Sequence, residues 1–187
     1  MNPHDMIKEY DICLATSRNP KTGRWEPDGR LMIRNAYRVK KDNVLDEIKS
    51  RKPEIIELLT AEENARKAAF EDRQNRIRSI EGLTEINSAK DALFEWHRAF
   101  DKAMESEYED GLSTLGPKPQ YDFEAAYKKY PKAAAYLKAQ ALADKSNYEL
   151  SAIGRKAVDE ILYGNWETAI EKMNAERNAF ADRHAWD

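Results

Sequence analysis

The side chains with catalytic or metal-binding potential are few and scattered. His4, His97 and His184 lie in three different stretches with no short-range ligand spacing, and Cys13 is the single cysteine, so neither a zinc cluster nor an internal disulfide is within reach. Carboxylate pairs stand at helical spacing, Glu105 with Glu109 and Glu167 with Glu171 among them. Acid–base catalysis needs two acids whose surroundings separate their proton affinities, and both pairs fall on faces that read as solvated. Cys13 has Asp11 and Ser17 nearby but no base to activate it, and an alternating strand more often buries such a thiol. Glycine-rich phosphate loops, dinucleotide fingerprints, nucleophile elbows and H-E-x-x-H or C-x-x-C pairs do not occur. The expectation is a chain that is not an enzyme, with no metal and no cofactor.

The positive signal is a run of cations near the start. Arg18, Lys21, Arg24, Arg34, Arg38, Lys40 and Lys41 accompany Trp25 and Tyr37, and these nine are the candidate partner-binding residues. Residues 1–52 hold 12 basic and 8 acidic side chains, a net +4, whereas residues 53–110 hold 8 and 15, a net −7; the remainder balances. Clustered cations with aromatic side chains suit phosphates and bases. The excess is small, however, and the isoelectric point of about 5.8 lies far below that of typical nucleic-acid modules. A protein with an acidic surface is the first expectation, and nucleic acid is the alternative.

What positions these residues can be read from spacing and breakers. With 187 residues, 35% of them charged, and only seven Gly and seven Pro, the chain fits a largely helical domain or two small ones. Alternation from Lys8 to Thr16 predicts a strand. The turn-formers NPKTG (19–23) and EPDG (26–29) predict short returning strands at 24–26 and 30–35, with Ile12, Leu14, Leu31 and Ile33 buried. Asp42 or Asn43 is expected to cap a short helix carrying Val44, Leu45 and Ile48. After Pro53 no breaker occurs until Gly82, which predicts a helix of about 27 residues, about 40 Å long. A second long helix follows from Thr84 to Asp110. In it Ile86, Leu93 and Phe100 alternate with Ala89, Trp96 and Ala103 as a heptad seam. The spacing predicts an antiparallel hairpin of these two helices, with a homodimer through the seam as the alternative.

Two Gly and two Pro in Gly111–Gln120 mark a border. Beyond it helices are expected over 122–130, 131–143, 147–163 and 166–184, with a Ser146–Glu149 capping box, Gly164 as a stop and Asn165 as a cap. Leu150, Ile153, Ala157 and Ile161 form one stripe and Trp166, Ile170, Met173, Phe180 and His184 another. Both should pack on Tyr130, Ala134, Leu137 and Ala141, and Arg177 falls inside the last stripe. The fold class is therefore α+β, mainly α. It comprises a β-ribbon unit over 1–52, a helical hairpin over 53–110, a linker over 111–121 and a bundle over 122–187. No membrane-length apolar run and no signal-peptide pattern occur, so a cytoplasmic location is expected.

Two stretches resemble known proteins. DGRLMIRNAYRVKKDNVLDEIKSRKPEIIELL, residues 28–59, resembles the strand–helix–helix part of TubC-type docking modules. The likeness covers under a fifth of the chain and is carried by Lys52, Pro53, Glu54, Ile55 and Ile56 with the leucines that follow. It implies a small protein-docking fold, with the difference that the last helix is expected to continue to Ser79. The run from Lys129 to Phe180 is similar to small uncharacterised proteins of bacteriophages and integrated elements. That likeness brings no catalytic motif. It implies a setting in which small accessory proteins bind and block host machines, CRISPR nucleases among them, and hence an inhibitor of a host defence complex.

Overall fold

The structure is a computed structural model that describes residues 1–105 and 115–184. Glu109, Asp110 and the first part of the expected 111–121 linker lie outside the described residues. Among the described residues the chain has nine helices and one two-stranded antiparallel sheet, an α+β chain that is mainly α. It divides into two compact units, Met1–Asp72 and Arg73–Asp187.

The first unit opens with helix α1 (Pro3–Tyr10), where a strand was expected to begin at Lys8. The Asn2 side chain accepts from the Asp5 amide at 2.8 Å, and Pro3 presets the first turn. Asp11 ends the helix in the left-handed region (φ 48). Met6 and Tyr10, four residues apart, are buried, so helical spacing outweighs alternation as far as Tyr10. Strand β1 (Ile12–Arg18) then pairs with β2 (Trp25–Ile33), with Ile12 opposite Ile33 and Arg18 opposite Trp25.

EPDG does not reverse the chain. β2 passes through it, and Leu14 and Thr16 face Leu31 and Pro27, so β2 carries two more residues there than β1. Gly29 (φ 76) takes the strain of this bulge, and the Asp28 carboxylate accepts from the Arg30 backbone, Nε and Nη2 at 3.0, 3.0 and 2.6 Å. Turn residues here build a bulge instead of a third strand.

Two short helices follow. Residue spacing does not predict helix α2 (Ala36–Lys41), because six residues with one buried member, Val39, make no readable period. Helix α3 (Leu45–Ser50) starts from Val44 without a side-chain cap, while Asn43 (φ 52) makes the turn instead of capping. Helix α4 (Lys52–Arg78) has the expected 27 residues and runs from the first unit into the second. Met6, Tyr10, Ile12, Val39, Ile48 and Ile55 form the core of the first unit, with Leu31 and Ile33 half-buried against it. Leu14 is half-buried outside that core.

In the second unit α5 (Leu83–Glu105) starts one residue before Thr84. Gly82 (φ 74) is required twice over: its backbone is left-handed, and a Cβ there would sit 2.1 Å from the Tyr130 ring. The seam of α5 is half-buried beyond Ile86 and is met by the extended segment 115–122. There Trp96 Nε1 donates to Gly116 O at 2.8 Å, and Lys118 lies 5.8 Å from the Trp96 ring centre. Helices α6 (Phe123–Lys129), α7 (Pro131–Ala143), α8 (Tyr148–Tyr163) and α9 (Trp166–Arg183) form the bundle. Asn147, not Ser146, caps α8 by accepting from the Leu150 amide at 3.1 Å. Gly154 lets α8 approach the end of α7, since a Cβ there would meet the Ala143 amide at 2.1 Å. α7 buries Ala133, Ala135, Tyr136, Ala139 and Leu142; of the expected residues Tyr130 and Leu137 pack against this core half-buried, while Ala134 is only half-buried and Ala141 is exposed. An alanine-rich helix that is apolar on most sides does not announce which side faces inward.

Candidate interaction surface

The nine candidate residues all lie in the first unit, but the ribbon divides them into two groups. Arg18, Lys21, Arg24 and Trp25 crowd the tip, and Arg34, Tyr37, Arg38, Lys40 and Lys41 lie at the base, about 20 Å away at the rise of a seven-residue strand. At the tip the Asn19 side chain holds the turn by accepting from the Lys21 amide at 2.9 Å. Arg18 Nε donates to Gly23 O at 3.1 Å. Trp25 stays 70% exposed.

At the base Arg38 is engaged within the fold, 2.5 Å from Glu9 and 3.6 Å from Asp42. Asp42 also accepts from the buried Tyr10 hydroxyl at 3.4 Å, so Arg38 and Asp42 form part of the fastening of α2 onto α1. Burial, with Asp42 and Glu9 close by, pushes the Tyr10 phenol above its ordinary value. Tyr37 projects 80% exposed, and Arg34, Lys40 and Lys41 are exposed as well.

A groove of about 540 Å³ lies beside the ribbon and is lined by residues from its tip and base together with the first-unit part of α4. Trp25 and Arg34 stand at its ends, Leu14 and Leu59 line it, and Met32 lies between, 43% exposed. Met32 is not among the nine candidate residues. Its signal was present, because alternation places it opposite Leu31 and Ile33, whose side faces the core. On the helical wall Glu63 binds Arg66 at 2.5 Å and Lys67 at 3.7 Å, while Glu62 lies 3.9 Å from His4. Cys13 is half-buried in the same groove, its sulfur 3.7 Å from Met32 O.

The groups singled out for chemistry do not converge. His97 meets the edge of the Trp96 ring, and His184 stacks on Phe180 with its Nδ1 2.9 Å from Phe180 O. Glu105, Glu167 and Glu171 are exposed. Among the described residues there is no group of three His, Cys, Asp or Glu placed to hold a metal ion, and no helix is long and apolar enough to cross a membrane. Of the tyrosines in the second unit, Tyr121 and Tyr130 both donate to Glu85, at 2.9 and 3.0 Å, and fasten the segment around α6 onto α5, whereas Tyr148 and Tyr163 are exposed. The first unit thus presents aromatic and sulfur-containing apolar side chains with cations at either end, an arrangement suited to docking another macromolecule. The chain matches no protein-family model, no curated protein and no solved structure.

Proposed function

We propose that the chain is a non-enzymatic binding protein whose N-terminal unit docks a protein partner in the groove beside the ribbon. The observation that carries this reading is the exposure of Trp25 and Met32, which line the same groove as Leu14 and Leu59. Tryptophan is the side chain most often found at the energetic centre of an interface, and a folded monomer gains nothing by leaving it in water. The cations at either end favour an acidic rim on the partner. The resemblance of residues 28–59 to docking modules supports the same reading. That of the C-terminal part to phage-borne proteins directs the search for the partner to host defence complexes, CRISPR nucleases included.

The test compares wild type with Trp25→Ala and Met32→Glu in capture from a bacterial lysate, followed by calorimetry on the protein retained. Loss of at least about tenfold in affinity in both variants is the expected result. A partner held equally well by both variants overturns the reading. Binding to a duplex oligonucleotide that falls steeply with salt, and disappears when Arg34, Lys40 and Lys41 are neutralised, would replace protein with nucleic acid.

A further inference from the structure

Arg177, inside the apolar stripe of the last helix, lies at the rim of a notch of about 310 Å³ where α7, α8 and α9 meet. Leu142 and Met173 form its floor, 9% and 2% exposed, and Leu150 is half-buried at one side. The rim carries three exposed cations, Lys138, Lys145 and Arg177, and no carboxylate. None of the three has an ion-pair partner among the described residues, and Arg177 donates only to Asn178 Oδ1, at 3.4 Å.

Three acids on the neighbouring helices are engaged elsewhere. Glu149 pairs with Arg183, Glu160 with Lys172 and Glu176 with Lys156, and Asp144, next to Lys145, does not line the notch. The groove beside the ribbon contains Glu62 and Glu63, and three other surface grooves among the described residues contain Asp122, Asp101 with Glu105, and Glu63 with Glu71. The notch therefore differs from them in kind. Three cations gathered at one rim repel one another when the site is empty, and an anion with an apolar body both relieves that repulsion and fits the apolar lining.

We propose that this notch binds a small amphiphilic carboxylate, its acid held among Lys138, Lys145 and Arg177 and its apolar body on Leu142, Leu150 and Met173. The volume lies at the lower end of small-molecule sites, enough for a medium-length alkyl or an aryl group. This site is separate from the ribbon and does not depend on what the ribbon binds.

The experiment titrates the full chain with decanoate below its micellar concentration, with decanol as the uncharged control, following calorimetric heat and the Met173 methyl resonance. Saturable binding, a shifted Met173 methyl, at least about tenfold weaker binding of decanol, and affinity that declines with added salt are expected. Ala141→Trp fills the notch from an exposed position and should abolish binding. Lys138→Glu combined with Arg177→Glu should weaken it about tenfold or more with the circular dichroism spectrum unchanged, which keeps the test valid if the tryptophan variant folds poorly. Trp25→Ala should leave the titration as in wild type, which separates failure here from failure of the ribbon reading. No saturation by about 1 mM, equal affinity for decanol, or binding that survives charge reversal overturns the proposal. An acidic protein that occupies this face while decanoate does not bind overturns it too.

Discussion

Glu85 shows how one side chain in the second unit sets a pH response. Hydrogen bonds from Tyr121 and Tyr130 hold its carboxyl below the usual range, so the folded state binds this proton less tightly than the unfolded chain does. The stabilisation is complete above the ordinary glutamate value of about 4.3 and disappears as pH falls through the lowered folded value. Urea midpoints of wild type should decline through that range, and Glu85→Gln should remove this part of the decline. Tyr121 gives the opposite limb: partial burial, then Glu85, push its phenol up to about 12. Its contribution is present below the ordinary tyrosine value of about 10 and is lost as pH rises towards the folded value. A phenolate absorbance titration should show one late-titrating tyrosine fewer in Tyr121→Phe than in wild type, where Tyr10 and Tyr136 are raised as well. Gly154 sets a purely steric limit. With Ala143 backbone at the position of its missing Cβ, Gly154→Ala should destabilise the bundle by about 1–3 kcal/mol, read from urea unfolding.

Helix punctuation was the most legible feature of the sequence, and its physical basis can be tested at one cap. Asn147→Ala removes the acceptor for the Leu150 amide and should cost about 1 kcal/mol, whereas Ser146→Ala, one residue earlier, should leave the thermal midpoint almost unchanged. Pro131, Gly164 and Asn165 fixed the bundle helices closely because each acts through its own backbone or its immediate neighbours. The inward face of α7 was not legible: its alanines leave the phase to be chosen by tertiary packing, which selected Tyr136 and Leu142. The same reasoning covers the ribbon. Pro27, Asp28 and Gly29 have the chemistry of a turn, and only pairing with β1 decides that they form a bulge. The candidate site was legible in residue type but not in grouping. Strand length separates tip from base, Arg38 is drawn into contact with Glu9, and the groove needs Leu59 from a helix far along the chain.

At the scale of the molecule, two cores carry the stability, one around Ile55 and one around Ile161, both fully buried. Ile55→Ala and Ile161→Ala should each cost about 2–5 kcal/mol. Amide hydrogen exchange should then show faster opening chiefly within Met1–Asp72 for the first and within Arg73–Asp187 for the second; equal acceleration throughout would mean that the chain opens as one cooperative unit. The bulge at Asp28–Arg30 has a consequence for the crowded chain as well. A ribbon of two strands has no interior strand, which ordinarily invites copies to stack into fibrils. Here Pro27 supplies no amide hydrogen, Gly29 turns the backbone aside, and Asp28 occupies the Arg30 amide. The outer rim of β2 is thereby broken into short pieces, so on that side of the ribbon an incoming strand meets side chains where it would otherwise find a continuous ladder.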